Sequence, residues 1–87
     1  MSLVDDFNAA VNQSKQLTKR PTNDELLELY ALYKQATDGD VSGERPGGFD
    51  FKAIAKYDAW SGKKGMEKDE AMKTYLDLVK HLVAQYS

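Results

Sequence analysis

The chain has 87 residues, with 14 acidic residues, 12 basic residues and a net charge of −2. This length suits one small domain with a single core, and the charge has the wrong sign for a typical nucleic-acid-binding protein. The sequence contains no cysteine, which excludes disulfides and thiolate chemistry and suits a reducing compartment. No apolar run approaches the roughly 20 residues that a membrane span requires.

The chain shows no strand-like alternation, and four segments carry helical spacing, so we predict an all-α fold, a four-helix bundle. The first six residues lack the basic start and apolar run of a signal peptide. We find no internal repeat and no hinge. We therefore expect one domain over residues 1–87, in a monomeric protein with a cytoplasmic location.

The first predicted helix spans residues 3–17, where Phe7, Ala10 and Leu17 fall on one face. Two aspartates occupy its first turn, where the helix dipole favours negative charge. Pro21 ends this segment, because proline cannot continue a helix interior.

The second predicted helix, residues 22–37, begins with Thr22 and Glu25 in the spacing of a capping box. At about 100° per residue its apolar side chains cover roughly 260° of the helical wheel, whereas a surface helix buries a stripe of somewhat over 100°. The predicted water face has only three residues: Asp24, Glu28 and Gln35. Lys34 falls inside the apolar arc.

A loop over residues 39–48, with four glycines and a proline, follows the second helix. It is long for so small a domain, and long loops often carry function. Asp50 is placed to cap a short third helix, residues 51–60. The fourth predicted helix, residues 68–86, has a regular apolar stripe.

Two interpretations of the second helix stay open. In the first, a central helix packs on two sides, and Lys34 extends its stem over apolar surface with its charge in water. In the second, one side packs on the bundle while Tyr30, Tyr33 and Lys34 line a groove. Such a groove would suit a ligand with an apolar part and an anionic part.

Other candidate residues are ambiguous in the same way. Lys52 and Lys56 lie one turn apart, as a solvated pair or as a basic patch that binds phosphate together with Lys34. Tyr75 lies in the apolar stripe of the fourth helix, where a core tyrosine usually finds a partner for its hydroxyl. Lys15, near the end of the first helix, is a weaker candidate.

Catalytic and metal-binding options are poor. His81 is the only histidine and falls on the polar side of the fourth helix. No Ser–His–acid set or metal-ligand cluster is present, and the residues Asp38-Gly39-Asp40 lack the remaining ligands of a calcium loop. We therefore expect no enzyme activity, no metal and no cofactor.

Several segments together resemble the acyl-CoA-binding proteins. They are Leu29–Asp40, Arg45-Pro46-Gly47, Lys56-Tyr57-Asp58-Ala59-Trp60, Lys64-Gly65, and Ala71-Met72 with Tyr75. Phe7, Ala10 and Lys15 also stand in expected places. The resemblance covers nearly the whole chain, with order and spacing intact. The chain departs from the family at Tyr57, where tryptophan is common, and at Ile54, where a polar residue is common.

The resemblance implies an up-down-down-up four-helix bundle that binds medium- to long-chain fatty acyl-CoA thioesters. Such a protein would carry and pool acyl-CoA inside the cell. It would meet acyl-CoA-using enzymes and membranes transiently, and it would bind no nucleic acid. The alternative from another class is a helical protein-interaction module whose groove accepts an amphipathic peptide.

The resemblance also implies roles for individual residues. The adenine would lie beside Tyr30, and Lys34 and Lys56 would bind the ribose 3′-phosphate. The CoA head group would also contact Lys15 and Lys52, while Tyr75 would donate a hydrogen bond near the thioester. The remaining candidates near the ligand are Leu26, Ala31, Leu32 and Tyr33, of which Leu26 and Tyr33 would line the acyl path.

Overall fold

The computed structural model describes residues 2–86, which form four α-helices and no β-strand, as predicted. The helices are α1 (Leu3–Ser14), α2 (Asn23–Asp38), α3 (Phe51–Ser61) and α4 (Lys68–Tyr86). Met1 and Ser87, the ends of the predicted domain, lie outside the described residues. Within this part of the chain, no helix combines the length and apolar character needed to cross a membrane.

The predicted helix starts of α2 and α3 are confirmed. The Thr22 hydroxyl accepts a hydrogen bond from the Glu25 backbone N–H at 3.2 Å, and the Glu25 carboxylate accepts one from the Thr22 N–H at 2.9 Å. This reciprocal pair is the capping box expected from the spacing. At α3, the Asp50 carboxylate accepts from the Ala53 N–H at 3.1 Å. Both helices therefore begin at positions fixed by side chains.

The predicted end of the first helix was wrong by nearly one turn, because α1 ends at Ser14 and not at Leu17. The Ser14 hydroxyl donates to the Val11 carbonyl at 2.7 Å, and the N–H groups of Lys15 and Gln16 also bond to carbonyls three residues back. These bonds tighten the last turn and stop the α-helix. Leu17 still packs against the core, so its apolar character could not mark the helix end.

The core is built around α2 and α4. Helix α4 packs against both α1 and α2, whereas α3 packs against α2 alone among the described helices. The buried residues of this core are Phe7, Ala10, Leu29, Leu32, Ala36, Ala71, Tyr75, Val79 and Leu82. Within residues 2–86 the backbones of α1 and α2 make no close contact, so the two helices leave a groove between them.

The prediction that Gln35 faces water was wrong, because its side chain is fully buried. Its amide donates to the Asp40 carboxylate at 2.9 Å and to the Met66 carbonyl at 2.7 Å. Asp40 also accepts from the Gly65 N–H at 2.8 Å, and this bond, with that from Gln35, lowers the pKa of the Asp40 carboxyl. The loop after α2 thus folds over Gln35 and joins it to the turn between α3 and α4.

The glycine-rich loop is also fastened to α3. The Arg45 guanidinium donates two hydrogen bonds to the Asp58 carboxylate, at 2.8 and 2.9 Å, and this pairing lowers the pKa of Asp58. The Tyr57 hydroxyl donates to the Gly43 carbonyl at 2.9 Å. The Tyr57 hydroxyl, at a position where the resembled family commonly has tryptophan, therefore holds the loop.

Candidate ligand-binding site

A largely apolar groove of about 550 Å³ lies between α1 and α2. Its lining residues are Val11, Ser14, Lys15, Leu26, Leu29, Tyr30, Tyr33 and Tyr75. The rings of Phe7 and Tyr33 stack beside it, with centroids 5.9 Å apart, and link the two helices. The groove exists because α1 leans on α4 and leaves one side of α2 uncovered. Its lining suits an elongated apolar group.

A second cavity, of about 500 Å³, lies on the other side of α2, against α3. Its lining residues are Arg20, Asn23, Leu26, Leu27, Tyr30, Phe51, Lys52, Ala55 and Lys56. The Lys56 ammonium stands 5.3 Å from the centroid of the Tyr30 ring, a cation–π arrangement. Three cations and no carboxylate line this cavity, so it suits an anion next to an aromatic or apolar group. We call it the basic cavity.

The groove and the basic cavity meet on α2. Leu26 and Tyr30 line both of them. These two residues are four positions apart, so their side chains are neighbours on one face of the helix. A single molecule that extends across Leu26 and Tyr30 would place one part against apolar side chains and the other part against cations. The arrangement therefore suits one amphipathic ligand.

Tyr75 is both a core residue and a residue of the groove wall, the two roles between which the sequence did not decide. Its side chain is 3% exposed, it packs edge-on against Phe7 with ring centroids 5.0 Å apart, and it still reaches the groove. Its hydroxyl lies 3.2 Å from the Ser14 oxygen, and burial raises the pKa of Tyr75. Because the Ser14 proton bonds to the Val11 carbonyl, Tyr75 is the donor in this pair. The hydroxyl is thus held protonated at the groove wall.

Lys34 lies outside both cavities but close to them. Its ammonium forms an ion pair with Asp38 one turn along α2, and it stands 4.9 Å from the centroid of the Trp60 ring. The hydrogen bond with Asp38 raises the pKa of Lys34. The Trp60 indole N–H donates to the Gly39 carbonyl at 2.8 Å, which fixes the ring under the lysine. Without a ligand, Lys34 is occupied by protein partners.

The structure separates the predicted residues into three groups. Those that line the groove or the basic cavity are Lys15, Leu26, Tyr30, Tyr33, Lys52, Lys56 and Tyr75. Lys34 lies next to this set. Ala31 and Leu32 are both 0% exposed and line neither cavity, so in this conformation they support α2 from within the protein. The residues placed for direct ligand contact are therefore those that line the cavities, together with Lys34.

Five residues that line the basic cavity were not predicted from the sequence: Arg20, Asn23, Leu27, Phe51 and Ala55. Arg20 directly precedes Pro21, so the chain brings it to the start of α2. Phe51 is the first residue of α3, four positions before Ala55 in the same cavity. The sequence feature that Arg20 and Phe51 share is a position at the start of a helix. Predicting them as cavity residues would have required knowing that α2 and α3 are neighbours at these ends.

The fold and the two adjoining cavities define a helical bundle with an amphipathic ligand site, and comparison with known proteins identifies the family. Residues 4–79 match the family model described as acyl CoA binding protein. The chain is 51% identical over 80 residues to an acyl-CoA-binding protein homolog of Caenorhabditis elegans, covering 92% of this chain and 93% of that protein. This chain belongs to the acyl-CoA-binding protein family.

Solved structures agree with this assignment. Acyl-CoA-binding protein 2 of Oryza sativa superposes with a TM-score of 0.92 at 40% identity, covering 97% of this chain and 93% of that one. The solution structure of the yeast acyl coenzyme A binding protein gives a TM-score of 0.74 at 47% identity, covering 93% and 94%. The predicted all-α fold of this family is confirmed. No comparison supports the alternative of a peptide-binding module.

Proposed function

We propose that this chain binds medium- to long-chain fatty acyl-CoA thioesters across Leu26 and Tyr30 and acts as their intracellular carrier and pool. The observation that carries the proposal is the junction of an apolar groove and a basic cavity on one face of α2. An acyl-CoA has the matching division, with a hydrocarbon chain at one end and phosphates at the other. The names of the relatives point to the same ligand.

The head group would occupy the basic cavity. Lys52 and Lys56 would contact phosphates, and the adenine would stack on the Tyr30 ring that Lys56 covers in the free protein. Lys34 would join them by exchanging Asp38 for the ribose 3′-phosphate. Each charge-assisted hydrogen bond contributes about 1.5–3 kcal/mol net. These contacts would select CoA esters over free fatty acids.

The acyl chain would follow the groove between α1 and α2, against Leu26, Leu29 and Tyr33. The Tyr75 hydroxyl would turn its single proton from Ser14 to an oxygen near the thioester, and Lys15, at the end of α1, would contact the CoA. Each methylene removed from water contributes about 0.8 kcal/mol, so two methylenes change the affinity about tenfold. Chain burial would therefore supply most of the affinity for long esters.

We propose a carrier and not an enzyme, acting as a single-domain monomer in the cytoplasm and without a cofactor. Among residues 2–86, no cluster of three or more metal-ligating side chains is present. The cavity walls offer cations, a protonated tyrosine and apolar groups, which favour binding and shielding of a reactive thioester. Acyl-CoA-using enzymes would receive the ligand from the carrier. Incubation with acyl-CoA, followed by a free-thiol assay, tests for hidden hydrolysis.

Calorimetric titration tests the proposal directly. The protein is titrated with a series of acyl-CoA esters of increasing chain length and with the matching free fatty acids. We expect tight binding of the long esters, a tenfold rise in affinity for about every two methylenes until the groove is filled, and weak binding of the acids. Equal affinity for ester and acid would contradict the assignment.

A further inference from the structure

The start of α4 brings a second lysine to Asp38, the last residue of α2. Lys68 lies over Gly39, the residue after Asp38, with its Cε 3.5 Å from the position that a Cβ on Gly39 would occupy. The hydrogen bond from Lys34 is the main cause of the lowered pKa of Asp38, and the positive charge of Lys68 lowers this pKa further. Asp38 therefore has one cation nearby on its own helix and another on α4.

Only one of these two lysines holds Asp38 in the free protein. Lys34 forms the ion pair, whereas Lys68 is exposed and takes part in no salt bridge among residues 2–86. The Asp38 side chain is 50% exposed, so part of it remains accessible to a second cation. A lysine ammonium stands on a flexible four-carbon stem. Lys68 can therefore turn to Asp38 by rotation of its side chain, without movement of α2 or α4.

Asp38 is poorly placed to remain without a cation. It is the last residue of α2, where the negative end of the helix dipole disfavours a carboxylate. The helix end is also fixed, because the Trp60 indole N–H donates to the Gly39 carbonyl at 2.8 Å. A phosphate that takes Lys34 would leave the carboxylate unpaired and place a second negative charge close to it. Loss of Lys34 to an anion is therefore unfavourable unless another cation replaces it.

We propose that Lys68 is a positioning residue that takes over Asp38 when Lys34 turns to the ligand. This step rests on the proposed function, in which the ribose 3′-phosphate of an acyl-CoA draws Lys34 away. One ion pair of Asp38 is replaced by another and no covalent bond changes; we call this step the ion-pair exchange. It keeps the carboxylate at the end of α2 paired and reduces the free-energy cost of releasing Lys34. Lys68 lines neither cavity, so it promotes binding without touching the ligand.

A double-mutant cycle on ligand affinity tests the ion-pair exchange. Lys68→Met removes the charge and keeps most of the stem, and Asp38→Asn removes the carboxylate that is to be taken over. Calorimetric titration with a long-chain acyl-CoA should show binding about two- to fivefold weaker in Lys68→Met than in the parent, the range of a partly exposed ion pair. In the Asp38→Asn background the same change should have no effect. A purely structural role of Lys68 would not be cancelled in this way.

Lys64→Met is the matched control for the loss of one positive charge. Lys64 is an exposed lysine in the turn before α4, four positions before Lys68. Its substitution should leave the acyl-CoA affinity unchanged in both backgrounds. Equal affinity of Lys68→Met and the parent would overturn the ion-pair exchange. A loss of affinity from Lys68→Met that persists in Asp38→Asn would also overturn it, because Lys68 would then attract the phosphate directly.

A second experiment needs no ligand. Lys34→Met imitates the departure of Lys34, and NMR titration of the Asp38 carboxyl then reports which cation holds it. The pKa of Asp38 should stay below its ordinary value of 3.8 in Lys34→Met, because Lys68 moves in. Adding Lys68→Met should raise this pKa more in the Lys34→Met protein than in the parent, where Lys68 makes no direct ion pair. Equal increases in the two proteins would overturn the exchange.

The two experiments separate the ion-pair exchange from the proposed function. A parent protein that binds acyl-CoA tightly, with no change of affinity in Lys68→Met, would keep the ligand site and overturn the role of Lys68. Failure of the parent to bind acyl-CoA would refute the proposed function. The NMR comparison, which uses the free protein, would in that case still decide whether Lys68 replaces Lys34 at Asp38.

Discussion

The two sides of α2 are both apolar, yet only the side against α4 is fully covered by protein. On the side that meets α4, Leu32 and Ala36 are 0% and 1% exposed. On the side that faces the cavities, Tyr33 is 40% exposed, and Leu26 and Tyr30 are only half-buried. Apolar spacing thus shows that a side chain avoids water, but it does not show whether protein or ligand covers it.

The charged residues divide in a similar way. Lys34 already has partners in Asp38 and the Trp60 ring, whereas Lys56 is positioned over Tyr30 at an open cavity. A phosphate reaching Lys34 must compete with a carboxylate, while a phosphate reaching Lys56 need only compete with water and a ring. Binding a phosphate therefore costs Lys34 more favourable contacts of the free protein than it costs Lys56.

The largest expected difference between the two sides of α2 is in stability. Leu32→Ala on the packed side should lower the free energy of unfolding by about 2–5 kcal/mol, because it opens a cavity in the core. Leu26→Ala on the open side should cost only about 1 kcal/mol but should weaken acyl-CoA binding about tenfold. Urea unfolding and calorimetry measure the two quantities. Similar stability losses would mean that the open side is also packed in solution.

The basic cavity gives the next largest effect. Lys56→Ala should weaken binding of a long-chain acyl-CoA about 10- to 100-fold, since it removes a charge-assisted contact to phosphate. Lys73→Ala, an exposed lysine on α4, is the matched control and should change neither affinity nor melting temperature. The affinity for the free fatty acid should be unaffected by either change. A loss confined to the fatty acid would place Lys56 at the wrong end of the ligand.

The helices could be predicted from local chemistry because their ends depend on local chemistry. The spacing of Thr22 and Glu25 and the position of Asp50 were sufficient to place the starts of α2 and α3. The end of α1 was misplaced because Leu17 keeps its apolar contact after the helix has stopped. The spacing of apolar residues indicates which side chains are buried, but it does not indicate whether the backbone between them is helical.

The site itself could be predicted only in part. Periodicity allowed two interpretations of Tyr30, Tyr33 and Lys34, as parts of a helix packed on two sides or as the lining of a groove. The family resemblance was needed to choose between them. Gln35 was misassigned because a loop, which has no periodicity, covers it. The ion pair of Lys34 with Asp38 was compatible with their spacing. Its competition with a phosphate becomes visible only when the neighbouring cavity is known.

Substitutions of Lys34 and Asp38 test the difference between Lys34 and Lys56. Lys34→Ala should weaken acyl-CoA binding by less than Lys56→Ala, about tenfold or below, because the wild-type lysine must first leave Asp38. Asp38→Asn should raise the affinity about two- to fivefold, since it frees Lys34 for the ligand. The double variant should resemble Lys34→Ala. An increase in affinity from Asp38→Asn that persists in the double variant would show that Asp38 repels the ligand directly.

The smallest expected effect is on the pH dependence of the free energy of unfolding, and it arises from the loop at the end of α2. The pKa of Asp40 lies below its ordinary value of 3.8 in the folded protein, chiefly because its carboxylate accepts the Gly65 N–H. A carboxyl with a lowered folded pKa stabilises the protein above its unfolded pKa, and this contribution is lost as the pH falls through the folded value. Asp40→Asn should therefore flatten the acid side of the stability curve, below about pH 5.

Urea unfolding at a series of pH values measures this change, with Asp77→Asn, an exposed carboxylate on α4, as the control. Parallel curves for Asp40→Asn and the parent would mean that the contact does not persist in solution. Acyl-CoA affinity at neutral pH should be the same for both proteins, because Asp40 holds the loop over Gln35 and lines neither cavity. A variant that alters acid stability and spares ligand binding would confirm that the loop over Gln35 acts independently of the ligand site.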